Sequence, residues 1–417
     1  MTVPAKTRIA KPPPSKPRLP MQAADLQGLS RLATDATVGI VDLVENLHHT
    51  IVRGAGIVAA PTRGPAPGLT GLVYRAVRGS TRLVGKGLDL GLGGVARRWP
   101  VGDRNPQREA ALAALNGVFG DHLEASANPL AIDMRLRSDG VALDLSVDAL
   151  AACFPQARGR VIVLIHGLCM NDLQWTREGH NHGQALARDL DASAVYLHYN
   201  SGRHISVNGR ELAQQLESLL RHWPVPLTEL LIVGHSMGGL VARSACHLAM
   251  QQALNWPQRL TDLVFLGTPH HGAPLERAGQ LIDRALGVSP YAAPFARLGK
   301  VRSAGITDLR FGNLQDADWQ GRGRDMQRHD DRTPTPLPPG VPAWLVAATT
   351  ADRVGSLRST VLGDGMVRLS SALGHHPNPA LALAVPDSHR WVVTRTNHWD
   401  LLSRPEVYAW MLERLAR

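Results

Sequence analysis

Between residues 161 and 269 the chain repeats one pattern: a short, nearly unbroken apolar run, a turn, then a stretch of helical spacing. The runs are VIVLIHG (161–167), AVYLHYN (194–200), LLIVGHS (230–236) and DLVFLGTP (262–269). GQALARDL (183–190), NGRELAQQLESLLRHW (208–223) and GLVARSACHLAMQQAL (239–254) lie between them. An apolar run without alternation reads as a strand buried on both faces. Strands taking turns with helices make a parallel sheet covered on both sides. After a long insertion, AWLVAAT (343–349) and HRWVVTR (389–395) add strands, and PEVYAWMLERLA (405–416) closes the chain as a helix. Ahead of the repeat, Ile132, Met134 and Leu136 alternate, then SDG (138–140), then Val141, Leu143, Leu145 and Val147 alternate. That is a β-hairpin, which makes the expected α/β sheet mixed.

The third run leaves its strand through Gly234-His235-Ser236-Met237-Gly238. This is G-x-S-x-G between a predicted strand and a predicted helix, the context in which the motif holds a nucleophile. A serine at the tip of so tight a turn needs unfavourable backbone angles, and small neighbours let the chain fold back without clashing. The helix N-terminus then offers free N–H groups to a developing oxyanion, starting with Met237. A second donor must come from the loop after an earlier strand. In VIVLIHGLCMND the strand ends at Ile165, His166-Gly167 turns the chain, and the Leu168 N–H is the candidate.

In this architecture an acid and then a base follow the serine in the chain. Asp364 lies past the strand AWLVAAT in the Gly-flanked loop VLGDGMVRLSSA. Asp352 competes from a position nearer the strand but lacks such a loop. His398, in TRTNHWDLL, falls after the last strand and before the final helix. His389 begins that strand, where a capping or packing role is expected; His270 and His271 precede the acid; His375 and His376 fall between acid and base. The assignment is therefore Ser236 as nucleophile, His398 as general base and acid, and Asp364 as the group orienting the imidazole. No Cys/His cluster has ligand spacing and no phosphate-loop or dinucleotide glycine pattern occurs, so neither metal nor cofactor is expected.

Together HGL, GHSMGG, GTPHHGAPLE, GDGMVRLSSA and NHWDLLSRPEVYAWM resemble the α/β-hydrolase superfamily. Within it they are similar to the lipase/esterase group that includes bacterial triacylglycerol lipases and GPI inositol-deacylase-like proteins. The resemblance runs over roughly residues 130 to 417. It implies hydrolysis of carboxylic esters, often of lipids, with Ser236, Asp364 and His398 in the triad positions and Leu168 and Met237 at the oxyanion hole. A domain over 128–417 follows, with an insertion near 272–341 where this fold commonly carries a helical cap. A lid there would shape an apolar acyl pocket. An acyltransferase or thioesterase would use the same triad. A scaffold without catalysis is the third reading, and the intact set of triad candidates argues against it.

The first 127 residues have no counterpart in the minimal hydrolase. Residues 1–22 are basic and Pro-rich and are expected to be a disordered arm. They contain no apolar stretch of the Sec signal type. Residues 23–127 read as a helical extension. Leu26, Leu29 and Leu32, then Ile40, Leu43, Val44, Leu47 and Ile51, keep helical spacing, and GAGIVAAPTRGPAPG (54–68) breaks it. Over 70–98, Val73, Val77, Val84, Leu88 and Leu92 form a stripe opposite Arg75, Arg78, Arg82 and Lys86.

Of the net charge of +10, +9 falls in residues 1–110. The basic character thus belongs to this segment and not to the chemistry. Two placements fit residues 24–98: peripheral contact with an anionic membrane, or docking on the main domain with a solvated basic face. Nucleic acid is disfavoured, because residues 1–110 hold one Tyr, one Trp and no Phe for stacking. No run approaches the ~18 apolar residues of a membrane span. Three widely spaced cysteines, Cys153, Cys169 and Cys246, form no disulfide framework. They fit a reducing compartment, so a cytoplasmic protein is expected.

Overall fold

The structure, a computed structural model, describes residues 22–52, 68–98, 105–273, 303–321, 330–356, 359 and 362–416. The basic arm up to residue 21, the Gly/Pro-rich break, and residues 274–302 and 322–329 of the expected cap lie outside the described residues.

The apolar runs form one eight-stranded sheet. Its strands are β1 (Arg135–Ser138), β2 (Val141–Ala142), β3 (Arg160–Ile165), β6 (Ser193–His198), β7 (Glu229–His235), β8 (Leu260–Leu266), β9 (Ala343–Ala348) and β10 (Arg390–Val393). A separate two-stranded ribbon holds β4 (Thr176–Arg177) and β5 (His180–Asn181). The order in the large sheet is β10-β9-β8-β7-β3-β6-β1-β2. Strands β3 and β6 to β10 pair in parallel, and the β1–β2 hairpin adds antiparallel on β6. The hairpin is shorter than its alternation predicts: β2 ends at Ala142, of Leu143, Leu145 and Val147 only Leu143 is buried, and Val147 begins the short helix α4 (Val147–Cys153).

Successive residues of each central strand face opposite cores. Val161, Val163 and Ile165 of β3 join a core with α6 (Ile205–His222) and α7 (Met237–Gln251), while Ile162 and Leu164 join one with α5 (His182–Asp189) and α10 (Pro405–Leu415). Both faces are therefore covered, which is why these strands carry no polar alternation. The helix α6 supplies Ile205, Leu212, Ala213, Leu216 and Leu219, all fully or nearly fully buried.

Helix α3 (Pro106–Ala125) precedes the hairpin yet shares the first core through Leu115, Val118, Phe119 and Leu123. Asn105 caps it, its side chain accepting from the N–H groups of Gln107 and Arg108. Helix α1 (Ala23–Val52) lies outside α3. Leu32 reaches the core, and Arg108 of α3 makes a bidentate pair with Asp25 at 2.6 and 2.7 Å. Helix α2 (Gly68–Arg98) packs back along α1. Of the insertion, α8 (Ala304–Phe311) is described, and it is part of the core: Ile306 and Leu309 are buried, and Asp308 holds the Ile205 N–H at 2.9 Å. Among the described residues no helix is long and apolar enough to cross a membrane.

Candidate active site

The chain runs from β3 outward to β6, then returns to place β7 on the other side of β3. Loops leaving β3 and β7 therefore part company at the C-terminal edge of the sheet, and the crevice between them is where open parallel sheets bind ligands. The Leu168 loop leaves β3 and the Ser236 turn leaves β7, so both expected oxyanion donors flank this crevice.

Ser236 has φ 54° and ψ −125°, in the region that L-residues avoid. Two contacts show what holds it there. Its N–H donates to the Leu266 carbonyl at the end of β8, at 2.8 Å. The first turn of α7 also lies directly on the end of β3: a Cβ at Gly238 would come within 2.2 Å of the Ile165 carbonyl oxygen. Gly234 meets the same helix from the strand side, where a Cβ would lie 2.6 Å from the Gly239 Cα. The glycines of the motif are thus required by close backbone approach on both sides of the serine.

Across the turn, Gly167 sits so near Ser236 that a Cβ there would be 3.0 Å from the serine Cβ. The next residues are fixed by polar contacts, the Cys169 N–H donating to Ser201 Oγ at 3.0 Å and Cys169 itself taking φ 60°. Among the described residues the N–H groups of Leu168 and Met237 have no hydrogen-bond acceptor. Leu168 and Met170 in this loop and Met237 after the serine are buried.

His398 and Asp364 come together from 34 residues apart. The imidazole Nδ1 lies 2.6 Å from Asp364 Oδ2, and the His398 N–H donates to the Asp364 carbonyl at 3.2 Å. The other carboxylate oxygen accepts the N–H groups of Met366 and Val367 at 2.9 and 2.8 Å. Gly363 and Gly365, at φ 56° and 95°, let the loop wrap the carboxylate in this way. Because a carboxylate accepts, Nδ1 carries the proton and Nε2 keeps its lone pair. That Nε2 is buried with no hydrogen-bond partner among the described residues, so the bond to Ser236 Oγ is not closed. Such bonds are often long before substrate arrives. The imidazole packs over Gly267, the residue after the carbonyl that receives the Ser236 N–H.

The competing residues lie elsewhere. Asp352 is exposed and pairs with Arg395 at 2.7 Å. His389 stacks on Trp344 with ring centroids 3.9 Å apart. His270 is buried beside Phe265, and His376 lies 2.9 Å from Asp330.

Sequence reasoning passed over His235, the second residue of the motif. Its Nε2 donates to the His398 carbonyl at 3.2 Å, and the two rings lie 4.8 Å apart. Complete burial, reinforced by His398, pushes its pKa well below the ordinary imidazole value, so it is a neutral prop behind the expected base. A second missed group stands under the Leu168 loop. Arg137 Nη1 lies 3.2 Å from both Asp172 and Glu109, joining β1, the turn after the loop, and α3. Burial acts to raise the Asp172 carboxyl, but His198 and Arg137 outweigh it and hold it below its ordinary value. His166, fully buried, is pushed down to about 3. The one local signal was His235 closing the apolar run LLIVG; Arg137 lies in the polar strand RLRS and gave none. Among the described residues no cluster of His, Cys, Asp or Glu could hold a metal ion.

Residues 156–326 match a family model described as a PGAP1-like alpha/beta domain. The matched span holds the Ser236 turn and both oxyanion candidates and ends before Asp364 and His398. A search of curated proteins found no match. Similar solved structures include the Bacillus licheniformis lipase BlEst2 in mature form, at 19% identity and TM-score 0.40, covering 61% of this chain and 91% of that one. The type II thioesterase YbtT of the yersiniabactin pathway is 17% identical at TM-score 0.37, covering 62% and 94%. The Pyrococcus furiosus esterase Pf2001 is 11% identical at TM-score 0.36, covering 63% and 81%. Sheet order and family match together give the chain the fold of the α/β hydrolases.

Proposed function

We propose that this chain is a serine hydrolase of carboxylic esters whose acyl part is hydrophobic or lipid-like. The observation that carries the proposal is the buried Asp364–His398 pair at 2.6 Å, held at the same sheet edge as a serine with φ 54°. Strain and burial of charge both cost stability, and both are expected where a nucleophile is kept ready.

In the proposed reaction the Ser236 hydroxyl attacks the ester carbonyl carbon as its proton passes to His398 Nε2. The carbonyl π-electrons move to oxygen, and the N–H groups of Leu168 and Met237 receive that oxyanion. Collapse expels the alcohol, which takes the proton from His398 and leaves an acyl-serine. Water then enters by the same route in reverse, giving the carboxylic acid and free Ser236. The Asp364 carboxylate keeps the imidazole in the tautomer with Nδ1 protonated throughout. The Met170 sulfur and the Ser236 Cβ both flank Gly167, which puts an apolar side chain beside the nucleophile and supports a hydrophobic acyl group.

Turnover of p-nitrophenyl esters of increasing acyl length, by wild type and Ser236→Ala, tests this. Activity that disappears in the variant, together with wild-type labelling of Ser236 by a fluorophosphonate, is the expected result. Equal turnover by both proteins rejects the serine mechanism. Acyl transfer to an added alcohol in preference to water would reassign the enzyme as a transferase using the same residues.

A further inference from the structure

We infer that helix α2 is a docking surface for an anionic lipid bilayer, lying in the membrane interface along its solvent side. The observation is the direction in which its apolar stripe points. If that stripe served to pack α2 on the protein, its residues would be covered. Instead Val77, Val84 and Leu88 of the stripe are 43%, 62% and 50% exposed, and the neighbouring Leu83 and Leu90 are 73% and 76% exposed.

Contact with α1 uses another side of the helix. Gly85 is buried against Thr34, where a Cβ would come within 2.6 Å of the threonine methyl. Asp89 takes a bidentate pair from Arg31 (Nη2–Oδ2 2.9 Å) and a hydrogen bond from Gln27 at 2.9 Å. At 100° per residue, Leu90, Leu83, Ala76, Gly87, Ser80, Val84, Val77 and Leu88 fill an arc of about 160° that contains no charged residue between positions 75 and 90. All eight are exposed. Exposed Arg75, Arg82 and Lys86 border that arc. The single acid of the helix, Asp89, faces α1 and is neutralised there.

A broad apolar face with a cationic edge is the pattern of a helix that lies in the plane of an anionic membrane. The apolar residues enter the acyl boundary while Lys and Arg meet lipid phosphates. Two other occupants fit less well. A nucleic acid would attract the cations but leave five aliphatic side chains exposed. A second copy of the chain would bury the aliphatics but bring two basic edges together. The layering agrees: α1 is tied to the hydrolase body by Leu32 and Asp25–Arg108, and α2 rests on α1 with its apolar side outward.

The test uses the full chain and sedimentation with vesicles of phosphatidylcholine alone or with about one-third phosphatidylglycerol. Wild type is expected to bind the anionic vesicles, more weakly at high salt, and to leave the neutral ones mostly free. Combined Leu83→Gln, Val84→Gln, Leu88→Gln and Leu90→Gln should lower partitioning by about 100-fold. Combined Arg75→Gln, Arg82→Gln and Lys86→Gln should lower it by at least about tenfold and flatten its salt dependence. Turnover of a soluble short-chain ester should stay at the wild-type level in both variants, which also shows that they fold. Ser236→Ala should bind vesicles like wild type, so failure of the proposed chemistry and failure of docking are read separately. Unchanged vesicle binding after the four glutamine substitutions would overturn the inference. So would a dimer in lipid-free solution that those substitutions dissolve, or tighter binding to a DNA duplex than to the anionic vesicles.

Discussion

Helices α6 and α2 carry the same kind of apolar periodicity and meet opposite fates. In α6 the apolar positions are sealed between the sheet and α7, with Leu212 and Leu219 fully buried. In α2 they face away from the protein, and the helix is held through a glycine, a threonine and an ion pair. A periodic stripe states that a helix has an apolar face; it does not state what that face meets. The body of the protein uses burial to hold polar chemistry, whereas the outer helix leaves apolar surface outside. The two regions should therefore respond to different perturbations.

The largest expected effect lies wholly in the body. Ser236→Ala should lower kcat for a p-nitrophenyl ester by about 10⁴-fold or more, read in a continuous assay. The four glutamine substitutions in α2 should leave the same number unchanged. A loss of soluble-ester turnover in the α2 variant would break the separation of the two regions. Asp364→Asn comes next. With the acceptor for His398 Nδ1 altered, the imidazole tautomer is no longer held, and kcat should fall about 10³–10⁴-fold with little change in KM.

Stability sharpens the contrast between the helices. Leu216→Ala in α6 empties a buried site, 1% exposed, and should cost about 2–5 kcal/mol in urea unfolding. Leu88→Ala in α2, at 50% exposure, should change the same measurement by less than about 0.5 kcal/mol. Comparable losses at both positions would mean that the α2 stripe is packed in solution.

The smallest effect is a slope. His182, buried with its Nε2 donating to the Leu401 carbonyl at 2.9 Å, has its pKa pushed down by burial to about 4. The unfolded chain takes up this proton first, near pH 6.5. Its contribution is therefore fully present above that pH and is lost as pH falls toward about 4, at about 1.4 kcal/mol per unit. His182→Asn should flatten the pH dependence of unfolding between pH 6 and 5 by that amount, measured by urea titration at each pH. The α2 variants should keep the wild-type slope.

Much of the body could be read in advance because its signals are local. The runs VIVLI, LLIVG and LVFL are strands of a two-sided sheet, and β3, β7 and β8 fall on them. The turn at Ser236 was legible for the same reason: strain at one residue demands small residues beside it, and Gly234 and Gly238 stand there. The choice of Asp364 over Asp352 rested on flanking glycines, and those glycines are what curl the loop around the carboxylate. His235 and the Arg137–Asp172 pair were not legible. A polar residue in a strand acquires meaning only from the neighbours that later surround it.

Period, turn chemistry and chain order by themselves determined the α/β alternation, the strained serine and the candidate acid and base, since each depends on residues within a few positions or on sequence order. Only the tertiary structure decided three further matters. It set the reversal of strand order that opens a crevice between β3 and β7. It set the 2.6 Å approach of His398 to Asp364. It also set the outward direction of the α2 stripe. Each depends on which surfaces meet, and the free energy of burial is shared among residues far apart in the chain.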